Sequence, residues 1–256
     1  MQKNYLEIKI QDKIAWIKIN REEKLNALNI SMLEEIRENL IDLGKNKNVL
    51  VLVIIGSGDK AFVAGADIAE FSKYDKNKGL ELAKKGQKNV LDLIENFPKP
   101  IIAAINGYAL GGGLELAMAC HMRVAVNTAK MGLPEVSLGL IPGYGGTQRL
   151  TKLVGKTNAM EMILSGEMID SQKALNLKLV NKVVERNNLF SSITELARKI
   201  MRNSPNAIAN AITSINAAQK NVEGFEIEKE KFSECFESKD FKEGVSAFLN
   251  KRKPSF

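Results

Sequence analysis

Residues 99–120 read KPIIAAINGYALGGGLELAMAC, and the fold turns on how this stretch divides. The part IIAAING, 101–107, is an uninterrupted apolar run behind a proline, the pattern of a strand buried on both faces. From about 112 to 120, small and apolar residues continue without strand alternation and predict a helix. A buried strand leading through a glycine turn into a helix is a unit of an α/β chain. Three glycines, Gly111, Gly112 and Gly113, stand at the turn, and one carboxylate, Glu115, sits in the first turn of the apolar helix.

Upstream, VLVLVII (49–55) is a second strand of the fully buried kind, and residues 5–19 read as two strands around a turn at Gln11, Asp12 and Lys13. Between them SMLEEIRENLIDLGKN (31–46) predicts a helix capped by Ser31, with apolar residues at 32, 33, 36, 40 and 43. A further helix is expected over about 79–97, ending before Pro98, and MRVAVN (122–127) reads as a strand. After Pro142 the segments GGTQRLTKLVG, TNAMEMILSG and SQKALNLKLV and most of the chain from about 189 onward favour helix, apart from a short strand near NKVVE. The expectation is an α/β core over 1–190 followed by a helical region over 191–256. No internal repeat of fixed period is visible.

The chain of 256 residues is 45% hydrophobic and 26% charged, a globular composition. Its net charge of +7 comes from lysines interleaved with glutamates, as in EIEKEKF (226–232). That pattern argues against a nucleic-acid face and leaves room for a smaller polyanionic ligand. Cys120, Cys235 and His121 are too few for a disulfide framework or a Cys/His metal site, which points to a cytoplasmic chain with no metal. The N-terminal residues alternate charged and apolar side chains and contain no signal-peptide core. The weakly polar span 101–120 has the length of a membrane helix, but Asn106, four glycines and Glu115 interrupt it, so no membrane association is expected.

The stretch IIGSGDKAFVAGADI (54–68) contains Gly56-x-Gly58-x-x-Ala61, the loose form of a dinucleotide fingerprint. A nucleotide-binding turn should run into a helix. Here Phe62 and Val63 lead instead into another small-residue turn, Ala64-Gly65-Ala66, which favours a loop that brings bare backbone to a ligand. The glycines at 111–113 have two readings: close packing of a turn, or a helix N-terminus with its N–H groups left open for an anion. Glu115 likewise either complements the helix dipole or is a buried carboxylate, which costs several kcal/mol unless paired, hydrogen-bonded or neutral. A second glutamate, Glu135, follows Pro134 in the irregular, glycine-rich run 132–146. One helix and one strand separate the two, so they can meet, and carboxylates with pKa values pushed apart can divide acid and base work. His121 has no Cys, Ser or Asp arrangement near it and is read as a structural imidazolium at a helix end. Cys120 is read as a small buried apolar residue, and KRK (251–253) as a solvated end or a phosphate contact.

Five ordered pieces, NREEKLNALN (20–29), KAFVAGADI (60–68), residues 99–120, GLPEVSLGLIPGYGGTQRL (132–150) and GVSAFLNKRKPSF (244–256), together resemble the crotonase, or enoyl-CoA hydratase/isomerase, superfamily over nearly the whole chain. Within it the sequence is most similar to the bacterial short-chain 3-hydroxyacyl-CoA dehydratases. The resemblance implies a ββα spiral with a helical C-terminal trimerisation region, commonly assembled as a homo-hexamer of two trimers. It implies reversible hydration of short-chain trans-2-enoyl-CoA to 3-hydroxyacyl-CoA, with coenzyme A as part of the substrate and no separate cofactor. Ala66 and Gly112 would supply the backbone N–H groups of an oxyanion hole, and Glu115 and Glu135 would hold one water and move it across the C2–C3 bond. Lys60, Phe232, Phe248 and Lys251 match positions lining the coenzyme A moiety, the last three reaching a neighbouring subunit's ligand. Ala64, Gly65, Asp67, Ile68, Gly111, Pro134 and Gly143 complete the substrate positions. Three residues depart from the common pattern: Leu133 where hydratases often carry Gln, His121 where they carry Asp, and Glu22 in place of Pro. Other members of the fold are isomerases, which need one carboxylate, thioester hydrolases, and non-catalytic acyl-CoA or RNA-binding scaffolds, in which one or both glutamates are expected to be lost.

Overall fold

The computed structural model describes residues 4–218 and 224–256; the stretch 219–223, expected to be helical, lies outside them. In chain order the strands are β1 (Leu6–Gln11), β2 (Ile14–Ile19), β3 (Val51–Gly56), β4 (Ala61–Val63), β5 (Ile101–Ile105), β6 (Tyr108–Leu110), β7 (Met122–Val126), β8 (Lys130–Gly132), β9 (Ile169–Asp170) and β10 (Lys182–Val184). They form a six-stranded sheet in the order β1-β2-β3-β5-β7-β10 and a four-stranded sheet in the order β4-β6-β8-β9. All neighbours are parallel except β1 with β2 and β8 with β9. The β1–β2 hairpin turns on Asp12 and Lys13, both at positive φ (51° and 63°), the two-residue geometry whose twist matches its strands.

The chain climbs in three ββα turns. In each, the first strand (β3, β5, β7) joins the large sheet, the second (β4, β6, β8) joins the small one, and a helical segment follows. The turns begin at Val51, Ile101 and Met122, so they repeat in space without a period in sequence. β4, β6 and β8 have three residues each, too few to show alternation, and the sequence reading passes over them as loop. β4 also disposes of the dinucleotide fingerprint: after Gly56 and Gly58 the chain enters a strand, not a helix.

Strand β5 is buried throughout, and the helix Ile30–Lys45 buries Met32, Leu33, Ile36, Leu40 and Leu43, as its periodicity predicts. Its cap is Asn29, not Ser31: Asn29 holds extended backbone and accepts from the Met32 N–H at 2.8 Å, while Ser31 is already helical. The helix expected over 79–97 starts at Lys76 and passes through a π turn, Gln87–Leu91, before Asp92–Glu95. Gly146–Ser165 continues through a kink at Gly155. The helix Leu189–Ile200 crosses position 190 and lies on β5 and β7, with Phe190 stacked on Trp16 at 3.9 Å. Beyond it come Pro205–Ala217, Gly224–Cys235 and Lys239–Leu249; the last two bury little besides Ala247 and expose Phe225, Phe232 and Phe248. Among the described residues no helix is long and apolar enough to cross a membrane.

Candidate active site

The small sheet sets the site. Its parallel strands β4, β6 and β8 lie side by side, and the segment after each carboxyl end is one the sequence singles out: 64–68 after β4, 111–115 after β6, 133–135 after β8. Carboxyl ends of parallel strands are where an α/β fold leaves a ligand crevice.

The first corner offers a backbone donor. A bridge pairs Leu28 with Ala66: the Leu28 N–H donates to the Gly65 carbonyl (2.9 Å) and the Asp67 N–H donates to the Leu28 carbonyl (2.7 Å). Alternation along a parallel bridge then turns the N–H of Ala66 itself the other way. It turns toward the second corner, where a Cβ placed on Gly112 would lie 3.7 Å from the Ala66 nitrogen. Gly112 opens the helix Gly112–Ala119, so its own N–H has no acceptor within the helix.

The three glycines have three different reasons. Gly111 has φ +48°, and a Cβ there would come within 2.9 Å of Glu135 Oε1. At Gly113 a Cβ would overlap the Val63 carbonyl oxygen and press on the Val63 side chain at 2.7 Å. Only at Gly112 is there ordinary space, with the nearest atoms of Leu28 and Tyr144 at 3.6 Å. Its missing side chain leaves bare backbone open beside the two donors.

The N-terminal motif holds the first corner down. The Arg21 guanidinium pairs with Asp67 (2.6 Å) and donates to the Ala27 carbonyl (3.0 Å). The fully buried Asn26 donates to the carbonyls of Ser57 and Ala61 (2.9 Å each) and accepts from the Arg21 N–H (3.0 Å). Arg21 holds the Asp67 carboxyl below the usual range. The Asp67 carboxylate is thus occupied in shaping the loop. Glu22 covers Gly58, where a Cβ would collide with its carboxylate.

The carboxylates come from the second and third corners. Glu115 is 2% exposed, and its Oε1 accepts from the N–H groups of Tyr144 (2.8 Å) and Gly146 (2.7 Å). Burial pushes its pKa up to about 7, against the pull of those two donors, and the nearby charge of Glu135 adds to the rise. Glu135 lies in the 3-10 turn Pro134–Leu138; burial raises its pKa too, and its Oε2 is buried with no hydrogen-bond partner among the described residues. Such an oxygen is an acceptor waiting for a donor. Both carboxyls therefore hold a proton more readily than a free glutamate does.

Tyr144 and Gly146, the clamps on Glu115, are absent from the expected set. The signal was the glycine pair at 145–146: a Cβ on Gly146 would lie 2.8 Å from Glu115 Oε1. Gly143, which is in the expected set, has open space around it. Ala64, Gly65 and Pro134 flank the site along the backbone, whereas Lys60 and Ile68 are exposed at its edge. Phe232, Phe248 and Lys251 are exposed on the last two helices and the turn behind them, and no hydrogen bond, ion pair or ring contact among the described residues joins them to Ala66, Gly112, Glu115 or Glu135. His121 corrects its expectation. Its Nδ1 accepts from the Ile101 N–H at 2.9 Å and its Nε2 faces the Glu95 carbonyl at 3.2 Å, so the ring is neutral with its proton on Nε2, and burial lowers its pKa. Cys120 is buried, with its thiol pushed up to about 12.

Two N–H donors near two carboxyls with raised pKa values suit an enzyme that polarises a carbonyl and moves protons at the adjacent carbons. Over residues 9–256 the chain matches the family model described as Enoyl-CoA hydratase/isomerase. It is 41% identical over 255 residues to the short-chain-enoyl-CoA hydratase of Clostridium acetobutylicum, covering 99% of this chain and 97% of that one. It is 42% identical over 248 residues to the crotonyl-CoA hydratase of Syntrophomonas wolfei, covering 96% and 95%. A crystal structure of an enoyl-CoA hydratase from Bacillus anthracis superposes with a TM-score of 0.92 at 36% identity, covering 99% of each chain. The chain belongs to the enoyl-CoA hydratase/isomerase family, and its fold is the crotonase fold.

Proposed function

We propose that the chain catalyses the reversible hydration of short-chain trans-2-enoyl-CoA thioesters, interconverting crotonyl-CoA and 3-hydroxybutyryl-CoA. The names of its Clostridium and Syntrophomonas relatives support the substrate class. The observation that carries the reaction type is the presence of two carboxylates, the buried Glu115 and the half-buried Glu135, beside the Ala66 and Gly112 amides. The thioester oxygen is held by those amides, a fixed donor of this kind contributing about 3–4 kcal/mol as the enolate develops. Water adds its oxygen to C3 and gives a proton to the ionised carboxyl, while the protonated carboxyl delivers its proton to C2. Dehydration is the same path reversed. An isomerase moves one proton between carbons and needs one carboxylate; a scaffold needs neither. Loss of the conjugated thioester absorbance on mixing the protein with crotonyl-CoA tests the reading. Intact binding of the thioester with no loss of absorbance leaves only a binding protein.

Lys60 and Lys251 are assigned to the phosphates of coenzyme A, Lys251 across a subunit boundary in a cytoplasmic hexamer of two trimers. Lys60→Ala and Lys251→Ala should each raise KM and flatten its dependence on salt, since exposed ion pairs are screened. The Lys251 effect should appear only in the assembled oligomer. An unchanged KM in both variants removes these lysines from the ligand.

A further inference from the structure

We infer that Arg149 is a positioning residue for Glu115: its guanidinium fixes the turn at 142–146 whose two amides grip the Glu115 carboxylate. This rests on the proposed role of Glu115 in proton transfer. Arg149 stands in the first turn of the helix Gly146–Ser165 with its side chain folded inward, 7% exposed. One guanidinium nitrogen donates to the Tyr144 carbonyl at 2.9 Å, and the N–H of that same Tyr144 donates to Glu115 Oε1 at 2.8 Å. Arg149 therefore holds one side of the residue while the catalytic carboxylate receives the other.

The remaining donors of the fork are anchored on a separate element. They reach Glu95 Oε2 (2.6 and 3.1 Å) and Asp92 Oδ1 (2.8 Å), both on the helix Asp92–Glu95. That helix is pinned from behind, where the Glu95 carbonyl accepts from Asn216 at 2.5 Å and faces His121. The turn is shaped to admit the guanidinium: Gly145 has φ +92°, and a Cβ there would lie 2.5 Å from it. A planar fork of five donors spans a carbonyl and two carboxylates in fixed directions, which the compact ammonium of a lysine does not impose. Glu115 is faced by Glu135, Tyr144 and Arg149, and Arg149 by Asp92, Glu95 and Cys120; within this set the arginine alone favours the ionised form of Glu115 by its charge.

The test follows the Glu115 carboxyl by 13C NMR of glutamate-labelled protein, its resonance identified by its loss in Glu115→Gln, alongside crotonyl-CoA hydration. In Arg149→Met the Glu115 titration should move to higher pH by about one pH unit or more, since a favourable charge goes and both amide donors loosen. Its kcat should fall about 100-fold with KM within about threefold, as for a misaimed catalytic group. Arg149→Lys keeps the charge without the fork and should titrate nearer the parent while recovering part of kcat. Glu95→Gln removes a neutralising charge but keeps an acceptor for the fork, so it should move the titration the opposite way, to lower pH. An Arg149→Met protein whose Glu115 titrates where the parent's does overturns the assignment, whatever its activity, because a merely structural arginine would cost stability and leave the titration in place. Should that variant not fold, Glu95→Gln decides: a titration unmoved or raised overturns it. A parent that does not hydrate crotonyl-CoA rejects the hydratase reading, and the titrations still decide the role of Arg149.

Discussion

Glu115→Gln and Glu135→Gln should each hydrate crotonyl-CoA about 100-fold or more slowly than the parent, the scale of a lost general acid or base. In Glu115→Gln the amide oxygen can keep both bonds that the carboxylate now receives from Tyr144 and Gly146, so the turn stays in place and KM should barely change. What is lost is the exchangeable proton. Because the pair acts as a unit, the double variant should be little worse than the poorer single one. The parent's kcat should fall as pH rises through about 7, where Glu115 ionises and the protonated carboxyl needed at C2 is lost; this fall should vanish in Glu115→Gln. Hydration by Glu115→Gln at the parental rate would return Glu115 to the role of a helix-dipole partner. Movement of a 3-enoyl double bond, measured alongside, separates hydratase from isomerase, since the latter survives the loss of one of the two glutamates.

The second large effect separates two adjacent glycines. Gly112→Ala should fold with at least parental stability, because the methyl meets only ordinary contacts at 3.6–3.7 Å and alanine favours a helix. Its hydration rate should nevertheless fall about 100-fold, on the scale of a lost oxyanion donor, since the methyl stands where the thioester must approach. Gly113→Ala should do the reverse damage: its methyl overlaps the backbone of β4, which cannot move without β6, and about 1–3 kcal/mol or more of stability should go. At this chain length that is a melting point lower by about 2–4 °C per kcal/mol. Thermal melts and initial rates of both proteins settle it; a stable Gly113→Ala or a fully active Gly112→Ala contradicts the reading.

How far the sequence could be read depended on how much of each signal was local. Strands β3 and β5 are buried on both faces and write themselves as apolar runs; the helix Ile30–Lys45 shows its buried stripe residue by residue. The small sheet was illegible because strands of two or three residues carry no alternation, and their pairing is made by the large sheet placing them. Ser31 and Asn29 both suit a helix cap, and only the backbone angles decide between them. Glu115 and Glu135 were legible as misfits, charges in apolar surroundings. Their clamps were not, since Tyr144 and Gly146 act through main-chain N–H groups that any sequence possesses. The charge of His121 was misjudged because a histidine at a helix end invites a charge argument, whereas its Nδ1 accepts from the amide of Ile101.

The three corners of the small sheet also bear on how such a protein can diverge. Each turn of the spiral contributes its own share: the amide of Ala66 from the first, the amide of Gly112 and the Glu115 carboxylate from the second, Glu135 from the third. On the proposed mechanism, the gripping of a thioester needs only the backbone of the first two, which survives almost any change of side chain elsewhere. A descendant that altered position 135 alone would still seat and polarise the same class of molecule while losing this way of adding water. Recognition is thus written in main chain and inherited with the fold, and the choice of reaction rests on a few side chains that mutation can exchange one at a time.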